Sequence, residues 1–420
     1  VSSIKITVDR LQPGLHIRLP VKWNEHPFLL NSFKIKKQEQ IEIIKHLGIQ
    51  HVYLSSNKSD TKPLPVSNES KVVPSFDSER LDIETGKLWN EKHQRIETLN
   101  RYRRKVVQCE KEFERSLSRM RSVMNKIRNR PLDAVYEAES LVSDIVDTLL
   151  LSENSVSLHL MNNNESEFDD VYFHSLNVAI IAMMIGKAKK YDADTIKELS
   201  FAALFHDIGK VKIPKAILKK QTLLSEPEKN YLKHHIKYGL DLVNTIQNFS
   251  ESAKVVISQH HELINGSGYP NGLKGKDIDE YSKVIAVANI FDNLCHPVNP
   301  KDQKIPYAAL SYLFKSCKHL YDEENLGILV KFMGVFPPGT VVQLSNEMVG
   351  LVMSVNNQNL LHPNVLMYDP SVPRHQAPII ALAERDLSIV SAILPHKLPD
   401  KIKEYLNPRT RISYFINNDD

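Results

Sequence analysis

The stretch QHHELINGSGYPNGLKG, residues 259–275, sets His260 and His261 side by side, ahead of Glu262 and a glycine-rich loop. Three further segments carry histidine beside a carboxylate or a second histidine. DDVYFHSLNVA places Asp170 and His174 four residues apart, on one face of a helical turn. FHDIGK puts His206 next to Asp207, with Lys210 about one turn further on, and KHHIKYG supplies His234 and His235. Seven of the chain's 17 histidines fall between positions 174 and 296, and it is this grouping that needs a cause. Taken singly, a histidine on a helix is more often a hydrogen-bonded or half-exposed residue than a ligand.

Five imidazoles and at least one carboxylate on four helices, with no cysteine among them, form a donor set for two adjacent divalent ions of borderline to hard character, such as iron, manganese or nickel. Neighbours on a helix diverge by about 100°, so a His-His or His-Asp pair suits two ions better than one. Asp207 has two oxygens with which to bridge them. Two ions about 3.5–4 Å apart can lower the pKa of a bridging water and bind both the attacked phosphoryl group and the departing oxygen. That chemistry is phosphoester hydrolysis. Lys210 would neutralise charge building on phosphate oxygens or protonate the leaving alkoxide; the bland reading is a surface lysine after a helix end.

The elements that must hold these residues are helices. Amphipathic segments are expected near 132–150, 171–190, 193–208, 226–247, 250–261, 281–294 and 306–332. Ahead of them, residues 1–56 read as a small α+β module, with strand-like alternation at Ile4, Ile6 and Val8, a Pro13-Gly14 turn, and a short helix closed by Gly48. Residues 57–78, rich in Ser, Pro and Asn, read as a linker. From 79 to 130 the chain is highly charged, yet Leu99, Tyr102, Val106, Cys109, Phe113, Leu117, Met120, Met124 and Ile127 recur at steps of three and four. Two readings of this stripe stand, a coiled-coil seam that makes a homodimer through residues 99–127 or a long helix packed on its own domain. After Phe336-Pro337-Pro338-Gly339, short β-rich runs at 340–344, 349–355, 364–368 and 379–382 predict a small C-terminal β-rich subdomain over 336–420. The expected fold is therefore multi-domain and mainly α-helical.

A length of 420 residues and a net charge of +4 suit an ordinary globular chain without a dedicated surface for polymeric nucleic acid. The basic cluster at Arg101, Arg103, Arg104 and Lys105 reads as a solvated helix face. Three cysteines, Cys109, Cys295 and Cys317, form no CxxC pair, so neither a disulfide framework nor a zinc ribbon is favoured. A reducing, cytoplasmic setting fits. The apolar run Val178–Ile185 falls short of a membrane span, and no secretory signal opens the chain.

Read together, HSLNVA at 174–179, HDIGK at 206–210, HxxxG at 235–239, HHE at 260–262, GSGYP at 266–270 with NGLKG, and IAVANIFDNL at 285–294 resemble the HD-GYP family of metallo-phosphohydrolases, over roughly residues 165–335. The resemblance implies a helical HD-GYP domain over 131–335 that binds two divalent metals, iron first, and hydrolyses cyclic di-GMP or cyclic GMP-AMP. Position by position it implies metal binding by His174, His206, Asp207, His235 rather than His234, His260 and His261. Asp207 would be the bridge and Lys210 the contact to the scissile phosphate. Asp170 stands where trinuclear members carry a ligand for a third metal. Gly266, Gly268, Tyr269 and Pro270 would form a flexible wall over the substrate or a docking surface for a partner such as a diguanylate cyclase. Glu262 is a candidate to orient a ligand imidazole. The N-terminal segments LQPGLHIRLP and IQHVYL resemble the small domain of unknown function that precedes the HD-GYP domain in a subset of bacterial members.

Two departures stand out. The family's VAD is Val287-Ala288-Asn289 here, so the metal ligand at that position brings no charge. The DRPYR-like cations are replaced by CHPVNPKDQK at 295–304, leaving Lys301, Lys304 and Lys283 as substrate-binding candidates. The expected activity is hydrolysis of a cyclic dinucleotide to the linear form by metal-bound hydroxide. The alternatives are a catalytically weak receptor or scaffold that docks a partner through the GYP loop, and an HD hydrolase of ordinary nucleotides, which the GYP segment disfavours.

Overall fold

Apolar positions one and two residues apart build the first sheet. In the computed structural model, which describes residues 4–66, 78–151, 170–356, 359–384 and 387–406, β1 (Ile4–Thr7), β2 (His16–Arg18), β3 (Ser32–Lys34) and β4 (His51–Leu54) lie in the antiparallel order β1-β4-β2-β3. Ile6 faces Val52 and Ile17 faces Leu54 across the ladder. Their side chains bury with Ile41 and Ile44 of α1 (Gln38–His46) in one small core. The first half of the expected linker is tied down, since Asp60 N–H donates to Gly14 O and Leu64 N–H to Arg10 O, both at 2.9 Å. Residues 67–77 lie outside the described ones.

The chain divides into two units, Val1–Arg103 with Leu366–Ile380, and Arg104–Val365 with Ala381–Asp420. The division falls inside α2 (Ser78–Lys126), a single helix, rather than at its ends. In the first unit Leu81, Lys92 and Leu99 of α2 are fully buried. In the second, Phe113, Leu117, Met120, Met124 and Ile127 are buried in the core of their own chain. That half of the stripe is packed within its own chain, which favours the reading of a long helix laid on its own domain there. The side chains of Tyr102, Val106 and Cys109 lie outside the described ones.

The second unit is the helical one. It runs through α3 (Pro131–Leu151), α4 (Asp170–Ala188), α5 (Ala193–Phe205), α6 (Lys215–Leu218), α7 (Glu226–Lys233), α8 (His235–Val243), α9 (Glu251–Gln259), α10 (Glu280–Cys295), α11 (Pro306–Tyr312) and α12 (Glu323–Met333). Helix starts are set by side-chain caps: Asp192, Ser225, Ser250, Asp279 and Asp322 each accept from a backbone N–H one turn on. The α4 helix is apolar all round, from Val178 to Ile185, because it is the centre of the core. By length and composition Val171–Ala188 could cross a membrane, but 78% of it is buried inside this unit. Two expected helices are broken. The run 226–247 ends at His234 and restarts as α8, and the run 306–332 passes through a π turn at Leu313–Cys317 before Asp322 caps α12. Five short strands follow: β5 (Val341–Leu344), β6 (Val349–Ser354), β7 (Asn364–Met367), β8 (Ile379–Ala381) and β9 (Ile389–Ile393). β5 pairs antiparallel with both β6 and β9, the last being a strand with no sequence signal of its own.

Candidate metal centre

Helix ends deliver the ligands. His206 and Asp207 follow α5, His235 opens α8, His260 and His261 follow α9, and His174 sits in the second turn of α4. Gly209 explains the crossing of the Asp207 turn with α8. A Cβ there would land on the carbonyl of His235 and run into Gly239 N at 2.5 Å. The HxxxG spacing is thus a packing requirement: Gly209 and Gly239 let α8 lie against the turn, and this brings His235 beside Asp207.

The imidazoles are oriented by their outer nitrogens. Nδ1 of His206 donates to Ala203 O at 2.7 Å, that of His235 to Leu232 O at 2.7 Å, and that of His260 to Val256 O and Ile257 O at 3.1 and 3.2 Å. Nδ1 of His174 donates to the Asp292 carboxylate at 2.7 Å. A carbonyl oxygen only accepts, so in His206, His235 and His260 the proton sits on Nδ1 and Nε2 turns inward with its lone pair.

The inward atoms sort themselves around the two oxygens of Asp207. Oδ2 lies 3.5 Å from His174 Nε2 and 3.1 Å from His206 Nε2, whereas Oδ1 lies 3.5 Å from His235 Nε2 and 3.6 Å from His260 Nε2. Two donor groups result, His174 with His206 and Asp207, and Asp207 with His235, His260 and His261, each with its ligand atoms within 4.8 Å of one another. His174 Nε2, His206 Nε2 and Asp207 Oδ1 are buried without any hydrogen-bond partner. Orphaned buried polar atoms of this kind are costly. Divalent cations fit them, and the six residues fit two such ions sharing Asp207.

Electrostatics point the same way. Burial pushes the Asp207 carboxyl up, but the Lys210 ammonium and the surrounding imidazoles hold it well below the usual carboxylate range. Burial drags His206 and His235 down to about 4, and holds His261 well below the usual imidazole value, helped by His260 and His235 beside it. These rings are neutral and ready to ligate at neutral pH. His174 differs: burial pulls it down, yet Asp207 and Asp292 outweigh this and raise it to about 9. His174 therefore carries a proton at neutral pH, beside the carboxylates of Asp207 and Asp292.

Other expected site residues fall as follows. Lys210 Nζ donates to Asp207 Oδ2 at 2.5 Å, so in this state it is a partner of the bridging carboxylate. His234 is exposed, between the rings of Tyr231 and Tyr238. Asn289 is buried on α10 and its Oδ1 accepts from Asn293 Nδ2 at 2.6 Å. Asp170 begins α4, and its side chain is outside the described ones. Lys283 lies 3.6 Å from Glu280 and lines a small cavity with Glu262, Tyr321 and Asp322.

Glu262 corrects its expectation. Its carboxylate accepts from the backbone N–H groups of Asn271 and Leu273 at 2.7 and 2.9 Å, and so fastens the loop instead of orienting an imidazole. The loop is folded back on the histidine segment. A Cβ on Gly268 would run into Leu263 N and Glu262 Cα, and the Tyr269 ring lies on the His261 ring at 4.6 Å and 16°. Gly266 and Pro270 belong to the same turn structure. One residue went unnoticed in the sequence, Asp292, which accepts from His174, from Asn177 Nδ2 at 2.8 Å and from His296 Nδ1 at 2.9 Å.

Helices whose ends converge imidazoles on one shared aspartate define the class, a histidine–aspartate metal-binding helical domain. Residues 150–324 match the HD domain family, and residues 3–138 match a domain of unknown function, DUF3391. The chain thus carries a region that matches the HD domain and, ahead of it, one that matches DUF3391. It is 24% identical over 378 residues to a cyclic di-GMP phosphodiesterase of Pseudomonas aeruginosa, covering 87% of this chain and 84% of that protein. A cyclic di-GMP phosphodiesterase response regulator, RpfG, of Xanthomonas campestris pv. campestris is 32% identical over 152 residues, 36% of this chain and 40% of its own length. A 3'3'-cGAMP-specific phosphodiesterase 2 of Vibrio cholerae is 32% identical over 187 residues, 43% of this chain and 34% of its own. The chain thus spans most of the first relative and less than half of the other two. A solved structure of an HDG"Y"P protein from Bdellovibrio bacteriovorus aligns at a TM-score of 0.45 and 18% identity, over 78% of this chain and 98% of that one.

Proposed function

We infer that this protein is a metal-dependent phosphodiesterase that opens a cyclic dinucleotide, cyclic di-GMP or 3',3'-cyclic GMP-AMP, to the linear dinucleotide. The observation that carries the reading is the division of four inward Nε2 atoms between the two oxygens of Asp207. His174 and His206 would hold one ion, and His235, His260 and His261 the other. Bound there, the ions supply Lewis acidity that ionises water near neutral pH and draws charge from the phosphoryl oxygens. Asp207 holds the two halves in register. Lys210, one turn beyond, lies at the edge of the site with its side chain 20% exposed, placed to exchange its Asp207 contact for a phosphate oxygen. In balance, the hydroxyl of the attacking water ends on phosphorus and the proton that water gives up ends on the leaving oxygen, as the P–O bond to that oxygen breaks. The names of the relatives support the substrate class. Iron as the resident metal, with manganese or nickel as substitutes, and a cytoplasmic setting are parts of the same proposal.

A second reading has its own observation. Asn289 brings no charge and its carbonyl oxygen is engaged by Asn293, which favours a weakly catalytic receptor or scaffold. The full chain purified with reduced iron or with manganese decides between them. Metal per chain and the linear product from each cyclic dinucleotide are measured; nucleotide binding without turnover under any metal would leave only the receptor.

A further inference from the structure

Asp292 is the one fully buried carboxylate on α10, and each of its partners is a donor. Oδ2 takes the Nδ1 proton of His174 at 2.7 Å, and Oδ1 takes Asn177 Nδ2 at 2.8 Å and His296 Nδ1 at 2.9 Å. The donors come from α4 and from the residue just past α10, so three separate points of the chain hold one carboxylate in place. His296 is itself held edge-on against Phe173 at 5.4 Å. Among the ligand rings with a described outer contact, His174 alone leans on a charged group; His206, His235 and His260 lean on backbone carbonyls.

We propose that Asp292 is a positioning residue for the metal centre. It acts through His174, fixing the ring with Nε2 inward and lending it the negative charge that Asn289, one turn earlier on the same helix face, does not bring. This rests on the reading of the site as a metal centre. A carboxylate behind a ligand imidazole raises its basicity and locks its tautomer. Among the described side chains the direct donor set then carries one carboxylate, Asp207, and a second unit of negative charge reaches the site through a hydrogen bond. The pair is 118 residues apart in sequence and lies at the junction of α4 and α10, so ligand geometry is tied to how these two helices pack.

The test is a double-mutant cycle on the full chain, reading manganese affinity by competition with a chelator. Asp292→Asn keeps the shape and should weaken manganese about 10- to 100-fold, with the circular dichroism spectrum unchanged. In a His174→Gln background the same change should have no further effect. Equal affinity of Asp292→Asn and the unaltered chain overturns the proposal, and so does a full additive loss in the double variant. Should Asp292→Asn not fold, the unaltered chain with 15N-labelled histidine and zinc as a diamagnetic probe decides: His174 must carry its proton on Nδ1, and a proton on Nε2 overturns the assignment. Product formation by the unaltered chain is followed separately. Intact metal binding without hydrolysis removes the phosphodiesterase reading and leaves this one standing.

Discussion

His235 and His260 present their Nε2 atoms to each other at 3.4 Å, although each ring has already committed its Nδ1 proton to a backbone carbonyl. Two lone pairs facing across that distance repel unless a cation lies between or beside them. A ligand that binds only the folded chain stabilises it by about 2.7 kcal/mol when present at 100 times its Kd. Manganese added to the chelated protein should therefore raise the unfolding midpoint of the helical unit, and His235→Gln should blunt that rise. A midpoint indifferent to manganese in the unaltered chain would show that these lone pairs do not form a metal site.

Proton release follows from His174. Its folded value of about 9 lies above the ordinary 6.5, so in the metal-free chain its contribution to stability is full below 6.5 and is lost as pH rises through 9. His206 and His235 sit at about 4, so their contribution is full above 6.5 and is lost as pH falls through 4. At pH 7.5 only His174 among these three has a proton for an incoming ion to displace. Metal loading should release about one proton per chain from this set, and affinity should rise about tenfold per pH unit between 6.5 and 9. Calorimetry in buffers of different ionisation enthalpy measures this. Binding with no proton release would mean that His174 carries no proton for an incoming ion to displace.

The candidate ligands were legible in the sequence in part: a His-Asp pair and two His-His pairs stand out by residue type, whereas the choice of His235 over His234 and the HxxxG marker came from the family resemblance. Asp292 was not, since its partners come from α4 and from beyond α10, and no spacing within NIFDNL announces them. Glu262 looked like a ligand-orienting carboxylate because it follows two histidines. Only the fold-back of the loop shows that its oxygens are spent on Asn271 and Leu273. The break at His234 was hidden because the apolar period runs straight through it. β9 was hidden because Val390, Ser391 and Ala392 show no alternation of burial to read.

Gly209→Ala tests the crossing. The added methyl group would overlap the His235 carbonyl, and its nearest neighbours there, His235 O and C and Gly239 N, are backbone atoms that cannot rotate away. Overpacking of this kind costs about 1–3 kcal/mol, occasionally more. Denaturant unfolding should show a loss at or above the top of that range, with metal content falling in parallel because His235 is pushed from Asp207. Full metal content with wild-type stability would mean that the turn has slack.

Lys92 offers a test in the first unit. Its ammonium donates to Trp23 O and His26 O at 2.5 and 2.7 Å and lies 3.8 Å from the centroid of the Trp23 ring, yet burial pulls its pKa down to about 7. Between 7 and 10.5 the unfolded chain holds a proton that the folded chain does not, so stability rises with pH across that window. Both tryptophans of the chain, Trp23 and Trp89, are in this unit and report its unfolding by fluorescence. From pH 7 to 9 the unaltered chain should gain about 1–2 kcal/mol relative to Lys92→Met. A constant difference between the two proteins would show that Lys92 stays charged in the fold.

Asn289→Asp addresses the departure that most affects function. The change is isosteric, and Asn293 Nδ2, now 2.6 Å from Oδ1, can donate equally well to a carboxylate. Without metal the new charge is buried on α10, where Asn289 is 4% exposed, and it should lower the stability of the chelated chain. With metal the same charge meets the cations. Affinity should rise about tenfold or more, so the gain in unfolding midpoint on adding manganese should exceed that of the unaltered chain. Opposite signs in the chelated and loaded states are the signature of a ligand position; a similar loss in both would mean that Asn289 faces packing alone. Turnover then separates the two functional readings. A chain that hydrolyses cyclic dinucleotides only as Asn289→Asp is a receptor built on the enzyme's scaffold, whereas hydrolysis by the unaltered chain shows that activity needs no carboxylate at position 289.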